Sequence, residues 1–172
     1  MFAMCWMCDH PGATIEDYLD HVADLLRGKM RRRGWAIQYV EDARRPFAYT
    51  IGLTDRGLPE LLVTGISPQR AVELLSAGAE LAALDGALAP GEQITLPSGR
   101  LAEVVEVEYP DAHLCAAIGL FGPKVRALQL VWADWRGRWP WAPDFNDGGA
   151  IQPVLGVRAA AWRRHTGQDG KS

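Results

Sequence analysis

At 172 residues the chain has room for one domain with its own core. Its 48% hydrophobic and 23% charged residues describe a folded protein rather than a disordered one. A formal net charge of −3 gives no global attraction for nucleic acid or anionic lipid, and no apolar run approaches the roughly eighteen residues of a membrane span. Cys5, Asp9 and His10 come too early for a secretory apolar segment to form, so a cytoplasmic location is expected.

Residues 1–13 form a Cys-rich N-terminal segment closed by Pro11 and Gly12, ahead of a domain expected over 14–162 and a polar tail over 163–172. Thr14 followed by Asp17 is a capping arrangement, and Ile15, Tyr18, Leu19, Val22, Leu26 and Met30 recur at helical spacing. Arg31, Arg32 and Arg33 load the last turn with positive charge and Gly34 stops it, which predicts a helix from residue 15 to 33. Strands are predicted over 35–40, 47–53 and 60–66, the last nearly all apolar as in a strand buried on both faces. Ser67 and Pro68 then open a helix that runs to Asp85 and stops at Gly86. A hairpin is expected from residues 93–96 and 101–108 about a Pro-Ser-Gly turn, followed by a short helix over 111–121 entered at Pro110. Residues 125–133 form the last long strand, and Arg136-Gly137-Arg138 is turn chemistry. There is no internal repeat. The natural assembly is an α+β single domain, with a mainly antiparallel sheet packed by about three helices.

Three separated blocks carry a resemblance. PFAYTIGLTDRGLPELLVTGI at 46–66, LQLVWADWRGRWPWAPDF at 128–145 and QPVLG at 152–156 resemble, in order, the signature of the bacterial domain of unknown function 4262. The resemblance spans about residues 34–156 and implies a shared scaffold without implying an activity. The opening MCWMCDHPGAT is similar to actinobacterial members, while many others begin differently, so a role for Cys5 and Cys8 would belong to a subgroup.

Three cysteines are too few for a disulfide scaffold, and in a reducing compartment a Cys-x-x-Cys pair points to metal or redox chemistry. Cys5 and Cys8 place two thiolates within reach of one ion, and His10 supplies a third ligand locally. A tetrahedral zinc site needs a fourth, for which His113 and Cys115 are the distant candidates, with His21 on the first helix a further one. On an ideal helix, positions i and i+2 such as His113 and Cys115 point in different directions. Considered alone, Cys115 reads first as a small core hydrophobe and His113 as a core or cap residue. Initiation at Met4 and removal of that methionine would expose Cys5 as the N-terminal residue. Its α-amine and thiol together can activate a nucleophile or chelate a metal.

Weaker signals accompany these. Tyr49, Thr50 and Gly52 bring polar groups and a glycine into a strand, where the glycine permits close approach of another backbone or a ligand. Four of the seven tryptophans lie within residues 132–141, beside Asp134, and read first as packing rather than as a pocket lining. Arg31–Arg33 suit phosphate, although the helix dipole already accounts for them. Phosphate loops, Gly-x-Ser-x-Gly, His-Glu-x-x-His and nucleic-acid motifs are all missing. Three readings follow. The first is a zinc site on Cys5, Cys8 and His10. The second is a non-catalytic interaction module, immunity or regulatory, using exposed tryptophans as anchors. The third is a thiol enzyme using Cys5 or Cys8. The expected partner is a protein or a small molecule, with neither nucleic acid nor membrane.

Overall fold

The computed structural model describes residues 9–149 and 151–163; Cys5, Cys8 and the polar tail from residue 164 lie outside them. Helix α1, Ile15–Arg33, begins where the sequence predicts. The Thr14 hydroxyl accepts the Asp17 N–H at 3.2 Å while the Asp17 carboxylate accepts the Thr14 N–H at 2.7 Å, satisfying two donors that a helix start otherwise leaves orphaned. The helix ends at Gly34, whose φ of +87° turns the chain back so that its N–H reaches the Met30 carbonyl at 2.7 Å.

Strands β1 (Ala36–Val40), β2 (Phe47–Ile51) and β3 (Glu60–Thr64) form an antiparallel meander. Helix α2, Pro68–Asp85, then crosses to the hairpin of β4 (Glu92–Thr95) and β5 (Leu101–Glu106). Helix α3, Cys115–Phe121, leads into β6, Ala127–Trp132, and a two-residue β7 at Trp162–Arg163 closes the sheet. The strand order is β1-β2-β3-β6-β5-β4-β7, antiparallel except for β3·β6 and β4·β7. This is the α+β domain with a mostly antiparallel sheet and three helices that the pattern predicts. The parallel β3·β6 pair at its centre needs the long crossover through α2, the hairpin and α3.

Two apolar layers flank the sheet. Ala48, Leu61, Val63, Leu128, Leu130 and Trp132 meet α2 through Ala71, Leu74, Leu75 and Ala79. The alternate residues Tyr49, Ile51, Leu62 and Ala127 meet Leu26 of α1 and Leu114 and Ala117 around α3. On this second side the chain from Gln152 to Leu155 also lies along β6. The Gln129 amide donates to the Pro153 carbonyl at 2.7 Å and to the Thr64 hydroxyl at 3.0 Å, and its oxygen accepts the Leu155 N–H at 2.8 Å. The Gln152 amide in turn bonds both backbone groups of Trp132, at 2.9 and 2.8 Å, as a neighbouring strand would.

The helix predicted over 111–121 is shorter than its pattern. Pro110–Ala112 forms a single 3-10 turn, and Leu114, fully buried, has a non-helical ψ of 48°. The α-helix starts only at Cys115, where the Tyr49 hydroxyl oxygen accepts the Ala116 N–H at 3.2 Å. Its first turn is thus satisfied by a side chain from β2 rather than by a local cap.

Candidate functional site

His10 lies on the surface just ahead of α1, its carbonyl accepting the Ala13 N–H at 3.0 Å. Its expected co-ligands Cys5 and Cys8 lie outside the described residues. Among the described residues, no three His, Cys, Asp or Glu side chains stand close enough together to hold a metal ion. His113 precedes α3 and is half-buried, its ring packed edge-on against Phe47 at 5.9 Å, with Phe47 stacked on Tyr49 at 6.2 Å. Cys115 is a free, exposed thiol at the first position of α3, so it is not the small core hydrophobe that its apolar helix suggests.

Cys115 lines a groove of about 300 Å³ between α1 and α3, opposite Leu19, Asp20 and Ala23. Leu19 on the α1 wall is 58% exposed, and Ile15, one turn before it on the same helix, is 69% exposed. Deeper in the same layer, burial pushes the Tyr49 phenol above its usual range, opposed by the Ala116 N–H it accepts and reinforced by the neighbouring Cys115.

Carboxylates were absent from the expected ligand set, yet they organise the polar interior. Glu60, fully buried at the start of β3, accepts the Thr50 hydroxyl at 2.7 Å and the Gly52 N–H at 2.9 Å. It also accepts the Leu53 and Thr54 N–H groups at 3.3 and 3.0 Å and the Thr54 hydroxyl at 2.8 Å. This carboxylate ends β2 at Ile51, two residues short of the predicted strand, because the amides of 52–54 turn in to it. The close approach permitted by Gly52 is to Met30 and the Gly34 carbonyl at the end of α1, not to a ligand. With five donors on two oxygens, Glu60 acts as a structural anchor of the turn.

Asp134 does the same for the tryptophan loop. It accepts the N–H groups of Arg136, Arg138 and Asn146 at 2.9 Å each and the Arg138 Nε at 2.8 Å. Burial pushes its pKa up, but these donors outweigh burial and hold it at about 2. Arg138 also grips Asp144 and Asp147, at 2.9 and 3.0 Å, contacts that raise its own pKa. Beyond the loop, Trp139 stacks on Trp141 at 5.4 Å, and the Arg158 guanidinium lies 3.4 Å over Trp141. Arg158 is held there by a two-pronged pair to the buried Glu103, at 2.8 and 3.0 Å. The tryptophan cluster is therefore largely a clamp, with Trp132 in the core and Trp135 standing out at 71% exposure.

The sequence model of the family Domain of unknown function (DUF4262) matches residues 29–146. The chain belongs to the DUF4262 family. No curated protein and no solved structure matches it. The DUF4262 stretch takes in the sheet from β1 to β6, the Glu60 anchor and the Asp134 loop. It leaves outside the N-terminal cysteines, most of α1 and the Gln152–Leu155 segment. Among the described residues no helix is long and apolar enough to cross a membrane.

Proposed function

We propose that this DUF4262 protein binds one zinc ion through Cys5, Cys8 and His10, with Cys115 as the fourth ligand. The order Cys-x-x-Cys-x-His is the support in sequence, and its similarity to the opening of actinobacterial members fits a site particular to a subgroup. The observation that carries the choice of Cys115 is its exposed thiol on the groove wall, opposite Leu19, Asp20 and Ala23 of α1. Six residues lie between Cys8 and Ile15, and the turn at His10–Ala13 leads directly into α1, whose Leu19, Asp20 and Ala23 line the groove. His113 is the poorer fourth ligand because its ring is engaged with Phe47. The metal's role is structural: three thiolates and an imidazole leave no open position for water, and the ion ties the N-terminal segment across exposed Ile15 and Leu19.

Untagged protein purified under reducing conditions should carry one zinc per chain. Cobalt substitution should give the absorption of a tetrahedral thiolate site, Cys8→Ser should abolish stoichiometric metal, and Cys115→Ser should weaken it at least tenfold. Metal-free protein that takes up no zinc on titration overturns the reading. Trp135 favours a second reading, an aromatic anchor for a protein partner, its ring solvent-exposed beneath the Arg136 guanidinium at 4.4 Å. That reading fails if Trp135→Ala leaves binding to a co-purifying partner intact.

A further inference from the structure

A cleft of about 280 Å³ opens between α2 and the β4–β5 turn, on the side of the sheet away from the α1–α3 groove. Its α2 wall presents Arg70, Glu73 and Glu80, and its other wall presents Ser98 and Arg100. The turn wall is rigid: the Leu96 N–H donates to the Arg100 carbonyl and the Gly99 N–H to the Leu96 carbonyl, both at 2.8 Å.

Arg70 is the unusual member. Its guanidinium lies 5.1 Å over the ring of Trp132, which is itself fixed by an indole N–H donated to the Thr64 carbonyl at 3.0 Å. Its Nε is sealed from solvent and has no hydrogen-bond partner, while the residue lines the cleft. Glu73 stands three residues on, at a spacing where Arg and Glu pair on a helix, yet the two make no ion pair. Among the described residues, Arg70, Arg100, Glu73 and Glu80 all lack an ion-pair partner. Two unpaired cations and two unpaired anions thus share one small cleft with an apolar floor. A ligand that carries both charges can pair with all four, the two glutamates being exposed at the cleft rim.

We propose that this cleft binds a small zwitterion, a free α-amino acid being the simplest member, with its carboxylate on Arg70 and Arg100 and its ammonium on Glu73 and Glu80. The size suits a ligand of a few heavy atoms, falling just below the usual range of organic-ligand sites. The test is a titration of the full chain with each of the twenty L-amino acids, followed by amide chemical shifts. At least one should bind saturably, with shifts centred on residues 70–80 and 96–100. Its carboxamide and its N-acetyl derivative should each bind at least tenfold more weakly, since each removes one of the two charges. Arg70→Gln should weaken binding at least tenfold, and Arg100→Gln, a change in the hairpin turn, gives the same reading should Arg70→Gln fold poorly. The proposal is overturned if none of the twenty shifts these residues saturably. It is equally overturned if the derivatives bind as well as the parent, or if Arg100→Gln folds and binds unchanged.

Discussion

Replacing Glu60 with glutamine keeps the side chain's shape but turns one oxygen into an NH2 group that faces donors. Because the site is fully buried, the mismatch cannot be relieved by water, and Glu60→Gln should lose about 3 kcal/mol of stability in urea unfolding. Thr50→Val, which removes one donor to Glu60 and one acceptor for the Leu61 N–H at 2.8 Å, should cost about 1–2 kcal/mol. Asp134 acts through pH instead. Its folded pKa of about 2 lies below the ordinary 3.8, so its contribution to stability is complete above 3.8 and is lost as pH falls through about 2. Tryptophan fluorescence should report the loop opening in that acid window, and Asp134→Asn should remove this group's share of the transition while lowering stability at neutral pH. These roles were hidden in the sequence. Glu60 reads there as the first residue of an apolar strand, and only the chain reversal at 52–59 reveals that it faces its own turn.

Elements whose limits are set locally were legible. Thr14 and Asp17 mark the start of α1 and Gly34 its end, and Pro68 and Gly86 bracket α2 in the same way. The start of α3 was not legible, because the group that satisfies it, the Tyr49 hydroxyl, is 67 residues away. The β3·β6 pairing was invisible for the same reason: both strands read as buried, but nothing local says that they are parallel neighbours. The segment over 152–156 could be recognised as a block without its function showing. It bridges β3 and β6 where their pairing stops, at Leu62 and Gln129. Gly156 packs so closely under the Glu106 carbonyl that a Cβ there would collide with it. Gly156→Ala and Gln152→Ala should each lower stability by about 1–3 kcal/mol, visible as a fall in Tm.

At the scale of the whole molecule, the sheet separates two surface hollows on its opposite sides. One side holds the α1–α3 groove with Cys115, the other the cleft with Arg70 and Arg100. The residues proposed for the first stand out in the sequence as rare, soft-ligand types at short spacing. Those of the second do not, since arginine and glutamate on a helix surface are commonplace until a hairpin from elsewhere closes over them. Between the two sides runs the seam of β3 and β6, joined through the Gln152–Leu155 segment. A ribosome makes this chain from the other end. The meander and the hairpin emerge early, and β6 soon after, but the side chain that binds both backbone groups of Trp132 appears twenty residues later still. For that interval the nascent protein holds all its long strands with its middle unfastened, and the seam locks only once Gln152–Leu155 follow.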